Sequence, residues 1–145
     1  MGALTLPTSG RFYVDTALII YGVERNSTYE LLLQPLWDAL DSGSVEVATS
    51  ELTLLETLVK PLRDNDTSLV RDYEKFLTDT RLQLHPINAA ILKEAARLRA
   101  TTRLKTPDAI HAATALAVGC SQLLANDDSF RQIESLQVII LKDLL

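Results

Sequence analysis

The sequence predicts an α/β protein, a three-layer α/β/α sandwich around a central, mainly parallel sheet of about four to five strands. Three observations predict it. Short apolar runs alternate with longer stretches whose apolar residues recur every three to four positions. The short runs, near residues 12–14, 45–48, 82–85, 123–125 and 138–141, are too brief to be anything but strands. Helical stretches separate them, which suits parallel pairing through right-handed crossovers.

Taken in order, residues 1–10 read as a short lead-in containing Pro7 and Gly10, expected to fray. Phe12-Tyr13-Val14 is β-prone and stops at Asp15-Thr16, after which residues 17–23 turn helical. Asn26-Ser27-Thr28 reads as a turn and N-cap, with Glu30 in the following first helical turn. The next helix runs to Ser42-Gly43, with Pro35 expected to kink or split it. Leu31, Leu32, Leu33, Leu36 and Trp37 crowd it beyond one inner stripe, leaving core packing or a dimer face as alternatives.

After the strand at 45–48, Thr49 or Ser50 is expected to cap a helix with Leu52, Leu55, Glu56, Leu58 and Val59 inward, broken at Pro61. Residues 64–67 form a polar turn before a helix carrying Leu69, Val70, Tyr73, Phe76 and Leu77. Asn88 caps another, with Ala89, Ile91, Leu92, Ala95, Ala96 and Leu98 on its inner side. The last long helix starts with Thr106 as N-cap and Pro107 at its first position. From Ala109 to Val118 its only non-apolar residues are His111 and Thr114, so it is expected to be buried.

The chain has 145 residues, enough for one domain spanning 1–145, and neither a repeat nor a linker interrupts it. Cys120 is the only cysteine, which excludes an intrachain disulfide framework and fits a reducing, cytoplasmic setting. No apolar run approaches the roughly 20 residues needed to span a bilayer, so no membrane role is expected. A net charge of −5 argues against a protein that simply coats nucleic acid.

The chemistry lies in the acids. Ligands of open α/β sheets bind beyond the carboxyl ends of the strands. Asp15 follows the first strand, Asp127 and Asp128 follow the fourth, Asp108 sits at a helix start, and Glu56 lies on a largely apolar stripe. Each alone has a structural explanation: the helix dipole for Asp108, a turn for Asp127-Asp128, partial exposure for Glu56. Together at one sheet edge, without paired Lys or Arg, they would repel and call for a cation. Oxygen-only ligands suit Mg²⁺ or Mn²⁺, and two such ions about 4 Å apart can drive phosphodiester hydrolysis. His111 is expected to be a satisfied inner histidine near these acids, and Thr114 to bond back to a helix carbonyl.

The segments Val14-Asp15-Thr16, Ser50-Glu51-Leu52-Thr53-Leu54-Leu55-Glu56, Thr106-Pro107-Asp108-Ala109-Ile110-His111-Ala112-Ala113-Thr114-Ala115 and Asn126-Asp127-Asp128-Ser129-Phe130 resemble those of PIN-domain nucleases. The likeness spans residues 12–141 and is strongest to the VapC-type toxins of type II toxin–antitoxin pairs. It implies a Mg²⁺-dependent endoribonuclease, with Asp15, Glu56, Asp108 and Asp127 as catalytic and metal-binding acids. Thr16, His111, Asn126 and Asp128 would support them, Asp128 also being able to replace Asp127. It further implies a cognate antitoxin partner and a homodimer. Ala17 and Ala125 stand where the family usually has polar residues, so a non-cleaving PIN domain that binds RNA or protein is the alternative.

Five basic residues and one acid lie between Lys93 and Lys105, just ahead of Asp108. Arg97, Arg99, Arg103 and Lys105 are therefore candidates to hold an RNA backbone, or else form an ordinary solvated helix end. A phosphoacceptor receiver domain would need an Asp where His85-Pro86 stands. A phosphatase using Asp-x-Asp would need one at Ala17.

Overall fold

The computed structural model describes Leu4 and residues 10–145, so most of the expected lead-in lies outside the described residues. Leu4 itself is buried in the core. The order is β1 (Arg11–Val14), α1 (Thr16–Val23), α2 (Glu30–Ser42), β2 (Glu46–Ser50), α3 (Leu52–Arg63) and α4 (Thr67–Thr78). Then follow β3 (Gln83–His85), α5 (Ala89–Thr101), α6 (Thr106–Ala117), β4 (Gln122–Ala125) and β5 (Gln137–Ile140), with 3₁₀ turns at Asp128–Gln132 and Leu141–Leu144.

The five strands pair in the order β3-β2-β1-β4-β5, all parallel. Alternation along each strand sends neighbours to opposite faces. Phe12, Val14, Val47 and Leu124 pack against α1, α2 and α4, whereas Tyr13, Ala48, Leu123 and Ala125 pack against α5 and α6. From β1 the chain builds outward to β2 and β3, then returns across the other face to β4 and β5. The order of strand addition therefore reverses between β1 and β4, the position where α/β sheets open a crevice for ligands.

Several local expectations change. Pro35 and Pro61 lie inside continuous helices. Each removes one backbone donor, but Leu33, Leu36 and Leu40 bury the inner side of α2 and hold it together. Trp37 packs edge-on against Phe76, and its indole lies 3.1 Å from where a Cβ on Gly22 would stand. Leu31 instead points to solvent, 86% exposed.

The buried stripe of α3 is Thr53, Thr57 and Pro61, not Leu55 and Val59, which are exposed together with Leu62. Threonine can line that interior because Thr57 donates to the Thr53 carbonyl at 2.7 Å and Thr53 bonds Thr49 at 2.8 Å. On α5, Ile91 and Ala95 are buried, whereas Ala89, Leu92 and Ala96 face outward. Cap positions shift as well: Tyr29, Glu51 and Lys105 precede their helices. Thr106 is the first residue of α6 rather than its cap, and its hydroxyl accepts from Arg99 Nη1 at 3.0 Å. Asn88 does cap α5, accepting from the Ile91 amide at 3.0 Å.

Candidate active site

At the carboxyl edge of β1 and β4 lies a cavity of about 410 Å³, lined by Asp15, Thr16, Ala17, Ile20, Tyr21, Glu56, Asp108, His111, Asn126 and Asp127. Each acid arrives from a different element. Asp15 caps α1 directly after β1, and its amide donates to the Leu124 carbonyl of β4 at 3.1 Å. Asp108 occupies the first turn of α6. Asp127 ends the β4 segment, where its Oδ1 accepts the Ser129 amide at 2.8 Å. Glu56 enters from the middle of α3.

Asp15 is the most enclosed, 7% exposed, and among the described residues its Oδ1 has no hydrogen-bond partner. Burial pushes its carboxyl up to about 7, with the Asp108 charge adding to the rise and His111 and the amides of residues 17 and 18 opposing it. Asp108 is also raised, first by burial and then by the Asp127 charge, while Ser129 Oγ donates to its Oδ2 at 3.3 Å. Glu56 moves the opposite way. Burial would raise it, but hydrogen bonds from His111 and Thr16 outweigh that and hold it below the usual carboxylate value.

A buried polar chain supports Glu56. His111 Nε2 lies 2.8 Å and Thr16 Oγ1 2.7 Å from Glu56 Oε1. On its other side His111 Nδ1 lies 2.6 Å from the Tyr13 hydroxyl. Tyr13 was not foreseeable from its strand pattern alone. A buried tyrosine needs a partner for its hydroxyl, though, and its alternation places it facing α6, which carries a lone histidine. Tyr21 and Ile20 were also missed as cavity residues. They follow Ala17 at the third and fourth positions of the same helix face.

The remaining candidates are placed as follows. Asn126 lines the cavity, donates to the Tyr21 hydroxyl at 3.0 Å and accepts the Lys142 amide at 2.9 Å. Asp128 stands outside the cavity lining and turns to Lys142 at 2.7 Å and Arg131 at 2.9 Å, which hold its carboxyl below the usual value. Arg97 pairs with Glu94 at 2.5 Å. Arg99 is spent on structure, donating to the Leu104 carbonyl and Thr106. Arg103 and Lys105 are exposed, and among the described residues neither side chain has an ion-pair partner. Thr114 bonds back to the Ile110 carbonyl at 2.7 Å, as expected.

Among the described residues no group of three or more His, Cys, Asp or Glu side chains is arranged so that it could hold a metal ion. The donor set nevertheless fits a hard divalent cation. It is all oxygen, it carries no paired Lys or Arg within the cavity lining, and it leaves a buried carboxylate oxygen without a partner.

The profile of the PIN domain matches residues 12–136. No curated protein is similar enough in sequence to match. Among solved structures, the chain is similar to one in VapBC2 of Rickettsia felis bound to a DNA fragment from its promoter. The two are 18% identical with a TM-score of 0.70, covering 90% of this chain and 98% of that one. A chain of a toxin–antitoxin complex from Klebsiella pneumoniae is 20% identical, with a TM-score of 0.65, covering 88% of this chain and 94% of that one. A chain of DNA-bound VapBC from Salmonella typhimurium is 17% identical, with a TM-score of 0.66, covering 90% and 97%. At these identities the likeness speaks for a shared fold.

Proposed function

The chain belongs to the PIN-domain family, whose members are generally nucleases, and on that premise we propose that it is a metal-dependent endoribonuclease of the VapC type. The observation that carries the proposal is the convergence of Asp15, Glu56, Asp108 and Asp127 on one cavity at the reversal point of the sheet. Asp15, Asp108 and Asp127 are the groups to hold Mg²⁺ or Mn²⁺, with Glu56 completing the acidic quartet. Bound there, the cation supplies a water activated for attack and neutralises charge on the phosphate.

The chain's own residues do the rest. Asp15 and Asp108 remain costly as neighbouring carboxylates until a cation arrives, which favours its uptake. Arg103 and Lys105, exposed just before Asp108, hold the RNA backbone, with Arg97 contributing less because Glu94 shares its charge. Three of the similar structures are toxin–antitoxin complexes, which supports a cognate antitoxin as partner. A homodimer acting in the cytoplasm belongs to the same reading, and no helix of the described residues is long and apolar enough to cross a membrane.

The test is purified chain, freed of any partner, incubated with RNA in Mg²⁺ and in EDTA. Cleavage in Mg²⁺ that EDTA and Asp108→Ala both abolish is the expected result. RNA binding without cleavage in either ion would favour a PIN domain that only binds.

A further inference from the structure

Glu56 meets the cavity differently from the three aspartates. Among the described residues both hydrogen bonds to its carboxylate fall on Oε1, from Thr16 at 2.7 Å and His111 at 2.8 Å. A carboxylate only accepts, so the proton between them sits on His111 Nε2. With the imidazole neutral, Nδ1 is bare and accepts from the Tyr13 hydroxyl 2.6 Å away. Both rings are deeply enclosed, Tyr13 completely and His111 to 2% exposure. They meet edge to face, with centroids 5.7 Å apart. Thr16 is braced in turn: its hydroxyl lies 3.3 Å from that of Thr53, which bonds Thr49, which donates to the Val14 carbonyl.

We propose that Tyr13 and His111 are positioning residues for cleavage: with Thr16 they pin Glu56 Oε1, so that Oε2 faces the cavity and orients the attacking water. This rests on the nuclease reading and adds a division of labour to it. The aspartates take the cation, whereas Glu56 is aimed by hydrogen bonds that reach from β1 through α6 to α3. Glu56 holds the imidazole proton on Nε2, and Tyr13, bonded to Nδ1, fixes the orientation of the ring that aims Glu56. The arrangement is complete within the protein and does not await a ligand to form.

Two readouts test it. Imidazole ¹⁵N NMR on the metal-free chain is expected to find His111 protonated at Nε2 alone. Tyr13→Phe, which removes one oxygen and keeps the ring, is expected to shift the Nδ1 resonance, as that nitrogen loses its donor, while Nε2 keeps its proton. In RNA cleavage, His111→Leu is expected to lower kcat about 10- to 100-fold. KM and Mn²⁺ affinity should stay within about threefold, and His111→Gln, which keeps a donor, should recover part of kcat. Melting temperatures separate loss of fold from loss of aim, with Tyr13→Phe as the variant least able to unfold the core. A proton on Nδ1, full kcat in His111→Leu, or Mn²⁺ affinity falling in step with kcat overturns the proposal. If the unmodified chain cleaves no RNA, the nuclease reading fails. The NMR arm still decides whether Tyr13 fixes His111, because it needs neither substrate nor metal.

Discussion

On one wall of the cavity Glu56 receives two hydrogen bonds on a single oxygen and sits below its usual pKa. On a second wall Asp15, Asp108 and Asp127 crowd their charges together, and among the described residues one buried oxygen of Asp15 has no partner. The protein finishes the first wall with its own donors and leaves the second for something positive. That contrast explains why carboxylates in the same cavity shift in opposite directions.

The largest effect falls on the unfinished wall. Asp15→Ala and Asp108→Ala should each reduce single-turnover RNA cleavage by about a thousandfold or more, since both remove a cation ligand. Cleavage within tenfold of the unmodified protein would move the reactive centre elsewhere.

The next effect is on stability. Asp15 has its folded-state pKa raised to about 7, so between the unfolded value near 4 and about 7 the folded state binds the extra proton. Metal-free protein should therefore be most stable at the acid end of that window and lose stability as pH rises through it. The loss is of order 4 kcal/mol at most, less where the site relaxes. Asp15→Asn should flatten the profile in urea denaturation with EDTA present. Glu56 carries the opposite sign: its lowered pKa stabilises the fold at neutral pH and loses that benefit as pH falls through its folded value. A profile unchanged by Asp15→Asn would remove the strain from the account.

Smaller effects concern the surface. Arg103→Ala with Lys105→Ala should weaken RNA binding roughly tenfold at low salt and reduce the salt slope by about 1.4. Arg97→Ala alone should do less, because Glu94 already engages it. Smallest of all is Asp128→Asn, expected to leave cleavage within about twofold, because exposed pairs such as its own with Arg131 and Lys142 contribute little. A large loss there would put Asp128 back beside Asp127.

The sequence carried the unfinished wall plainly, since acids after strand ends and on a helix first turn are local features that spacing exposes. Asp15, Glu56, Asp108 and Asp127 all line the one cavity. The strands were legible for the same reason, each a short apolar run bounded by turn residues. The finished wall was mostly hidden. Its hydrogen bonds join residues 98 and 55 positions apart, Tyr13 to His111 and His111 to Glu56, and no local pattern encodes such pairs. The threonine interior of α3 misled for a related reason: Thr53 and Thr57 satisfy their hydroxyls internally and pack like apolar residues, while Leu55 and Val59 stay outside. The resemblance put Asp127 in the quartet and left Asp128 able to replace it; the structure brings Asp127 into the cavity lining and turns Asp128 outward to Arg131 and Lys142.

The central claim is that the aspartate wall awaits a cation. Calorimetric titration of Mn²⁺ into the metal-free chain at mildly acidic pH, in buffers of different ionisation enthalpy, tests it directly. Saturable binding accompanied by proton release is expected, because Asp15 must give up its proton, and Asp15→Asn is expected to abolish both. Saturable Mn²⁺ binding of equal strength in Asp15→Asn, or no binding by the unmodified chain, would contradict it.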